Sequence, residues 1–388
     1  MNIFVPQSIQ TRIELEEIAD AKKQIISPAS SVTIYGITQD GLLGAYNLTD
    51  DKTRINWRDV MNIMSYTSFD DFAKYEKNKD YTGIEIFSMI IPPKVTMKIG
   101  DVNIKEGELV KDKDGKSGKV GNSILGAKKK NNLLHYIWDE YGDDATRNFI
   151  DNVQRLTNNF NLWNGFTVGV RDAQIPKAAK REIEQYIEGI MNKVDVDITN
   201  IENNPGYMNM ETFEGKLYSD LNVVRDEVSK IASASIGPEN NFSIMYKSGS
   251  KGNANNLGQM AGAVGLQVVD GAMIAKMYND RTLCYFHEND DRAKSRGLCY
   301  NSYMDGLTYS EFVYHTKAGR AGLITQVVKT SETGYAQRKL IKTMEDVMIK
   351  YDGTVRIANN QIIQHTYGGN GNNTTMQYEY KFHMIDMS

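Results

Sequence analysis

Between Arg320 and Lys339 the chain sets cations, small hydroxyls and one aromatic ring at spacings that could hold a nucleic acid. Thr330, Ser331, Thr333 and Gly334 make a small, smooth stretch beside Tyr335, with Arg320, Lys329, Arg338 and Lys339 around it. A smooth surface accepts a flat base, an aromatic ring stacks on one, and cations hold phosphates. The same residues also suit a solvent-washed linker helix in which Gly334 merely permits a bend. A second cation, Lys251, stands in the glycine-serine turn SGSKG, where an ammonium among backbone amides suits a phosphate. The alternative there is a tight turn followed by a closely packed helix, since small residues let backbones approach.

A long helix must carry the first group. Thr308 and Glu311 form the T-x-x-E signature of a helix start, and Tyr351-Asp352-Gly353 supplies turn chemistry at the far end. The span predicts about 42 helical residues, or roughly 60 Å. Core-like residues at both ends (Phe312, Leu323, Ile324, Val327 and Val328; then Leu340, Ile341, Met344, Val347 and Met348) predict that both ends are anchored. The middle, Lys329 to Lys339, is polar nearly all round, so it either crosses open space between two bodies or lies against a polar partner. Glycine at 334 costs about 1 kcal/mol relative to alanine.

The remaining chain reads as α+β. Residues 1 to about 30 give one short helix and a turn at Ser27-Pro28. From Val32 to Gly126 the period is mostly two, so strands are expected to dominate, with small helices near 57 to 78. Val95, Met97 and Ile99 alternate with Thr96 and Lys98 before Gly100-Asp101 turns the strand back. Gly115-Lys116-Ser117 is no phosphate loop, because Val110 occupies the position where that motif needs glycine. From Asn132 the period is helical. Ile183, Ile187, Ile190 and Val194 face Leu217, Leu221, Val224, Val228 and Ile231 across Asn204-Pro205-Gly206, which predicts an antiparallel helical hairpin.

Composition narrows the classes. The chain has 388 residues, 24% charged, with net charge −4, which argues against a surface that is a polyanion glove throughout. Cys284 and Cys299 are too few for a disulfide framework and lack zinc-site spacing, so no zinc and a reducing compartment are expected. No apolar run is long enough to span a membrane and the start has no leader pattern. The sequons at Asn47, Asn241 and Asn373 are therefore read as without consequence.

Several long motifs in order carry a resemblance. KTSETGYAQRKL, preceded by GLTYSEFVYHTKAGRAGLI and followed by YDGTVR, resembles the bridge helix of the largest subunit of multisubunit DNA-directed RNA polymerases of the eukaryotic and archaeal type. GITQDGLLG and TGIEIFSMIIP resemble the pore domain, LWNGFTVGVRD and the hairpin the funnel, and SGSKGNANNLGQM, RTLCYF and NSYMDGL the approach to the bridge helix. MNIFVPQS resembles the segment just after the family's Asp-x-Asp-Gly-Asp metal motif. The resemblance implies a tail of the active-site domain (1–30), a β-rich pore domain (31–157), a funnel domain with the hairpin (158–300), then the bridge helix and the start of a cleft domain (301–388), all part of a larger multisubunit fold.

It also implies site roles. Thr330, Ser331 and Tyr335 would face the template base with Lys329 and Arg338 nearby, and Gly334 would bend in translocation. Lys251 matches a lysine that approaches the incoming triphosphate, and Asn256 and Gln259 match polar residues of the same floor. No complete catalytic set and no metal ligand is implied in this chain: Mg2+ would be ligated by aspartates outside it, and the trigger loop also lies outside. Implied partners are the second-largest subunit, the remaining pieces of the largest subunit, template DNA, RNA transcript and nucleoside triphosphates, with a cleavage factor at the funnel hairpin. Gly319-Arg320-Ala321-Gly322, Ile324-Thr325-Gln326-Val327-Val328, Ser331 and Arg171 depart from the family's usual residues. The abundance of Asn, Ile, Tyr and Lys suggests an AT-rich genome and a large DNA virus of eukaryotes, placing the protein inside the host cell, in cytoplasm or nucleus, or in the virion. The competing readings are a nonenzymatic polymerase-derived module that binds nucleic acid or a polymerase, and a segment of a longer subunit.

Overall fold

The computed structural model describes residues 3–71, 75–111, 118–204, 206, 208–372 and 374–376. Gly115-Lys116-Ser117, Pro205 and Asn373 lie outside the described residues. The chain divides into two compact units, one of residues 1–167, 244–251 and 372–388, the other of 168–243 and 252–371. The mixed helix and small-sheet composition is the α+β class expected.

In the first unit, α1 (Ile9–Glu14) runs into a π-helical turn and stops at Asp20. Helices α2 (Asp40–Leu48), α3 (Trp57–Met64), α4 (Gly83–Ser88), α5 (Asn122–Leu125) and α6 (Leu133–Asn164) accompany two small sheets. One pairs β1 (Arg54–Asn56) with β2 (Asp80–Thr82); the other is the meander β3 (Met97–Ile99), β4 (Val102–Lys105) and β5 (Glu108–Val110). Strands therefore do not dominate 32–126 as the period of two suggested. SVTIYGI forms only an isolated bridge, Ile26 to Thr33, and GITQDGLLG opens α2. Alternation over four to eight residues also arises where a loop dips repeatedly into a core.

Helix α6 supplies the main wall. Asn132 caps it by accepting from the His135 amide at 2.9 Å, and a kink at Gly142 (φ 83°) separates its two parts. Beyond the kink Phe149, Val153, Leu156 and Phe160 recur at helical spacing and are buried. Gly44 lets α2 approach it closely, because a Cβ there would stand 2.9 Å from Thr157 Cβ.

In the second unit α7 (Lys177–Asn203) and α8 (Met210–Ser235) form the expected antiparallel hairpin. Ile183, Ile187, Val194, Leu217, Leu221, Val224 and Val228 are buried, with Ile190 and Ile231 packed at the margin. Ion pairs Lys193–Asp220 (2.8 Å) and Lys216–Asp197 (2.7 Å) tie the two helices on the solvent side. Helix α9 (Asn241–Lys247) carries the chain between the two units, and α10 (Ala254–Ala261) packs on α8. The contact is close because a Cβ at Gly258 would meet Ser229 Cα at 2.8 Å.

Strand β6 (Gly265–Leu266) pairs with β9 (Leu298–Cys299), and β7 (Val268–Val269) with β8 (Ala272–Met273) through the turn Asp270-Gly271. Both turn residues have positive φ (51° and 79°), the geometry for which Asp-Gly is suited in a two-residue hairpin. The long helix α11 (Tyr309–Met344) follows. A last sheet of β10 (Met348–Ile349), β11 (Val355–Arg356) and β12 (Ile362–Gln364) closes the described second unit.

Candidate nucleic-acid interface

Helix α11 has 36 residues, about 54 Å at 1.5 Å per residue, shorter than the 42 expected. It stops because Met348 and Ile349 leave the helical path to pair with Arg356 and Val355. Tyr351-Asp352-Gly353 is the turn of that hairpin, not the helix end, with Lys350 N–H donating to the Thr354 carbonyl at 2.9 Å.

The start of α11 is held by two buried side chains. The Thr308 and Glu311 capping box is present. Glu311 is 2% exposed, and its carboxylate accepts from the backbone amides of Tyr300 (2.8 Å), Asn301 (3.1 Å) and Thr308 (2.8 Å), from the Asn301 side chain (2.8 Å) and from the Thr308 hydroxyl (2.8 Å). Burial alone would push this carboxyl's pKa up, but the donors of Asn301 and Thr308 outweigh it and hold the pKa below its ordinary value. Tyr314 is fully buried, stacks on Phe286 and donates to the Ser295 carbonyl at 2.8 Å. Its burial pushes the phenol up to about 12. The Cys299 thiol, buried beside Glu311, is likewise pushed up to about 12.

Of the ten apolar residues expected to anchor the two ends, nine do not and Val347 is half-buried. Phe312, Leu323, Ile324, Val327, Val328, Leu340, Ile341, Met344 and Met348 are all exposed, and Glu311 and Tyr314 are the buried residues of α11. Apolar type marks a side chain that can be covered; it does not say by which chain. Among the described residues the buried anchoring of α11 is at its N-terminal end, by a carboxylate and a phenol.

One side of α11 meets the β7–β8 hairpin. Thr325 donates to Asp270 at 3.3 Å, and a groove of about 730 Å3 runs between Val268, Asp270 and Gly271 and the helix residues Ala318, Ala321, Gly322, Ile324, Thr325, Val328, Lys329 and Glu332. The opposite side is exposed. Arg320 and Arg338 are 18 residues apart, about five turns, so they stand on one line with Ser331 between them. Gly334 and Tyr335 lie within about 60° of that line at roughly 100° per residue, and Thr330 within about 80°. Lys329 and Thr333 point to the other side, Lys329 into the groove.

All eight residues singled out on the helix (Arg320, Lys329, Thr330, Ser331, Thr333, Gly334, Tyr335 and Arg338) are exposed. The hydroxyls of Thr330, Ser331 and Thr333 donate back to the carbonyls of Gln326 (2.6 Å), Val328 (2.9 Å) and Lys329 (2.6 Å), which leaves a smooth surface. A Cβ at Gly334 would meet nothing within 4 Å. The Lys339 ammonium lies 4.4 Å from the Tyr335 ring centre. Among the described residues no ion pair engages Arg320, Lys329 or Arg338.

Lys251 is exposed in the turn that Gly249 and Gly252 make at φ 78° and 74°, and it belongs to the first unit. Asn256 and Gln259 lie on α10 in the second unit, Asn256 exposed and Gln259 half-buried. The turn followed by a closely packed helix is thus present.

Three family descriptions match in succession along the chain: RNA polymerase Rpb1, domain 3, over residues 24–173; domain 4 over 176–299; and domain 5 over 306–384. The chain belongs to the Rpb1 family. It is 38% identical over 390 residues to the DNA-directed RNA polymerase subunit 1 of Acanthamoeba polyphaga mimivirus, covering 99% of this chain and 25% of that protein. It is 36% identical over 390 residues to each of the DNA-directed RNA polymerase II subunits RPB1-A and RPB1-B of Trypanosoma brucei brucei, covering 96% of this chain and 22% of theirs. The chain spans about a quarter of the length of the curated relatives it matches. Helix α11 falls wholly within the Rpb1 domain 5 match, α7 and α8 within domain 4, and the β1 to β5 sheets within domain 3.

Among the described residues of this Rpb1-family chain no group of three or more His, Cys, Asp or Glu side chains could hold a metal ion. Also among the described residues, no helix is long and apolar enough to cross a membrane. Tyr314 and the Asp270-Gly271 turn escaped the sequence reading as structural determinants, although Asp-Gly is a hairpin-turn signal; Glu311 was read there as half of a capping box but not as a buried carboxylate.

Proposed function

We propose that this chain forms part of the largest catalytic subunit of a DNA-dependent RNA polymerase, in which α11 is the bridge helix beside the template base. The observation that carries this reading is the exposed line Arg320, Ser331 and Arg338, with Gly334 and Tyr335 beside it, on the side of α11 turned away from the β7–β8 hairpin. Cations at either end suit backbone phosphates, and the small centre with its ring suits a base. Residues 1–30 are the tail of the active-site domain, 31–157 the pore domain, 158–300 the funnel domain, and 301–388 the bridge helix with the start of the cleft domain. Lys251, Asn256 and Gln259 serve the incoming nucleotide.

Nucleotidyl transfer needs divalent ions at the reacting phosphates, and Mg2+ held by aspartates outside these residues supplies that chemistry. This chain contributes positioning: a floor for the template base and cations for phosphates. Its partners are the second-largest subunit, the rest of the largest subunit, template, transcript and nucleoside triphosphates, with a cleavage factor at the α7–α8 hairpin. The mimivirus relative supports a viral source, with the protein acting in host cytoplasm or nucleus or carried in the virion. Native mass spectrometry of the assembly purified from its source tests the reading. A template-directed synthetic complex containing this sequence together with an Asp-x-Asp-Gly-Asp sequence is expected; a stable monomer without synthesis would establish the nonenzymatic module instead.

A further inference from the structure

Beside the buried Glu311 and Tyr314, the first turns of α11 carry a third polar contact that the site does not use. His315 is half-buried, and both of its ring nitrogens are engaged: Nδ1 lies 3.1 Å from Gln267 Oε1 and Nε2 lies 3.3 Å from the Tyr303 hydroxyl. The direction of these bonds follows from Gln267. That amide is buried, and its Nε2 donates to the Gly265 carbonyl at 3.2 Å, so Oε1 is left as the acceptor. His315 must then donate from Nδ1–H, and in the neutral ring Nε2 accepts from Tyr303.

The contact joins three parts of the second unit. Gln267 sits between β6 and β7, whose hairpin lines the groove side of α11. The backbone of Tyr303 donates to the Gln259 carbonyl at 3.2 Å, and that of Met304 to the Met260 carbonyl at 3.1 Å, which ties the same loop to the end of α10. His315 lies about 140° around the helix from the line of Arg320, Ser331 and Arg338. A bond on the hairpin side therefore fixes the rotation of α11 about its own axis, and with it the direction in which that line points.

We infer that His315 is a positioning residue for nucleotide addition: the Gln267–His315–Tyr303 chain sets the roll of α11 against α10 and the hairpin. This inference rests on the reading of α11 as the bridge helix. Its test is single-nucleotide addition, measured per active complex, in assembled polymerase carrying His315→Leu, His315→Asn or Tyr303→Phe. His315→Leu removes both bonds and is expected to lower the maximal rate about tenfold, equivalent to about 1.4 kcal/mol in the barrier. The half-saturating nucleotide concentration should stay unchanged. His315→Asn places an amide donor where Nδ1 stands and is expected to recover to within about threefold of the parent, as for retention of one net hydrogen bond. If His315→Leu does not assemble, Tyr303→Phe and His315→Asn decide the matter: Tyr303→Phe, which loses only a hydroxyl, should be slower than the parent.

A His315→Leu rate equal to the parent's would overturn the inference, as would equal slowing in the Leu and Asn variants or an unaffected Tyr303→Phe. Arg338→Ala in the same assay separates the two levels. If it elongates normally, the reading of the exposed line fails; if it is slow while the His315 variants are normal, only the positioning role fails.

Discussion

A buried carboxylate with no cation partner among the described residues is a costly device, and Glu311 shows how it is made stable. Five donors converge on its two oxygens, three of them backbone amides with fixed positions. Hydrogen bonds to a charged group contribute about 1.5 to 3 kcal/mol each in mutational terms, against a desolvation cost of several kcal/mol. Glu311→Gln replaces one acceptor oxygen by a donor facing donors. It is expected to destabilise the start of α11 by about 2 kcal/mol, read as faster amide hydrogen exchange in residues 309–316. Because the folded-state pKa is depressed, this contribution is present in full above the unfolded-state value near 4.3 and is lost as pH falls through the lower folded-state value. Exchange protection at 309–316 that drops on acidification in the parent and is flat in the Gln variant would match this account. Equal acid sensitivity in both would contradict it.

At the scale of elements, Gly334 separates the two uses of a helix centre. A Cβ there has open space, so Gly334→Ala should stabilise α11 locally by about 1 kcal/mol. Gly334→Pro removes a helix hydrogen bond and clashes with the preceding turn, so it should abolish elongation while leaving assembly nearly intact. Transcript synthesis by the proline variant at the parent rate would remove the bending role. How far such elements could be read in the sequence depended on where their partners lie. The α7–α8 stripe was legible because its apolar residues recur at helical spacing on two successive helices and find their cover within the same unit, from each other and from Ala263, Leu266 and Leu298. The Thr308–Glu311 start was legible because a capping box is local. The ends of α11 were not: Leu340, Ile341 and Met344 carry a core signature yet stand exposed, since composition cannot say which chain covers a side chain. The end at Met344 was missed because Asp352-Gly353 serves a hairpin turn as readily as a helix stop. The short strands between 54 and 110 were over-extended because a period of two does not exclude short helices between them.

For the whole molecule, the division of labour is between holding and touching. The described second unit grips α11 near its start and along the hairpin side, and leaves the line Arg320, Ser331 and Arg338 uncovered. The residue types around 320–339 did not reveal that asymmetry, because they suit a nucleic-acid face and a solvent-washed linker helix alike. Helical periodicity already separates Lys329 and Thr333 from the face of Ser331, and the hairpin's position shows that Lys329 is on the side it lines. The most direct measurement is photo-crosslinking in an assembled transcription complex, with a photoreactive side chain placed at Ser331 or, as control, at Glu332 on the groove side. The account predicts attachment to the template strand at the position of the next base pair from 331 and little from 332. Equal labelling from both positions, or attachment from 331 to protein alone, would contradict it.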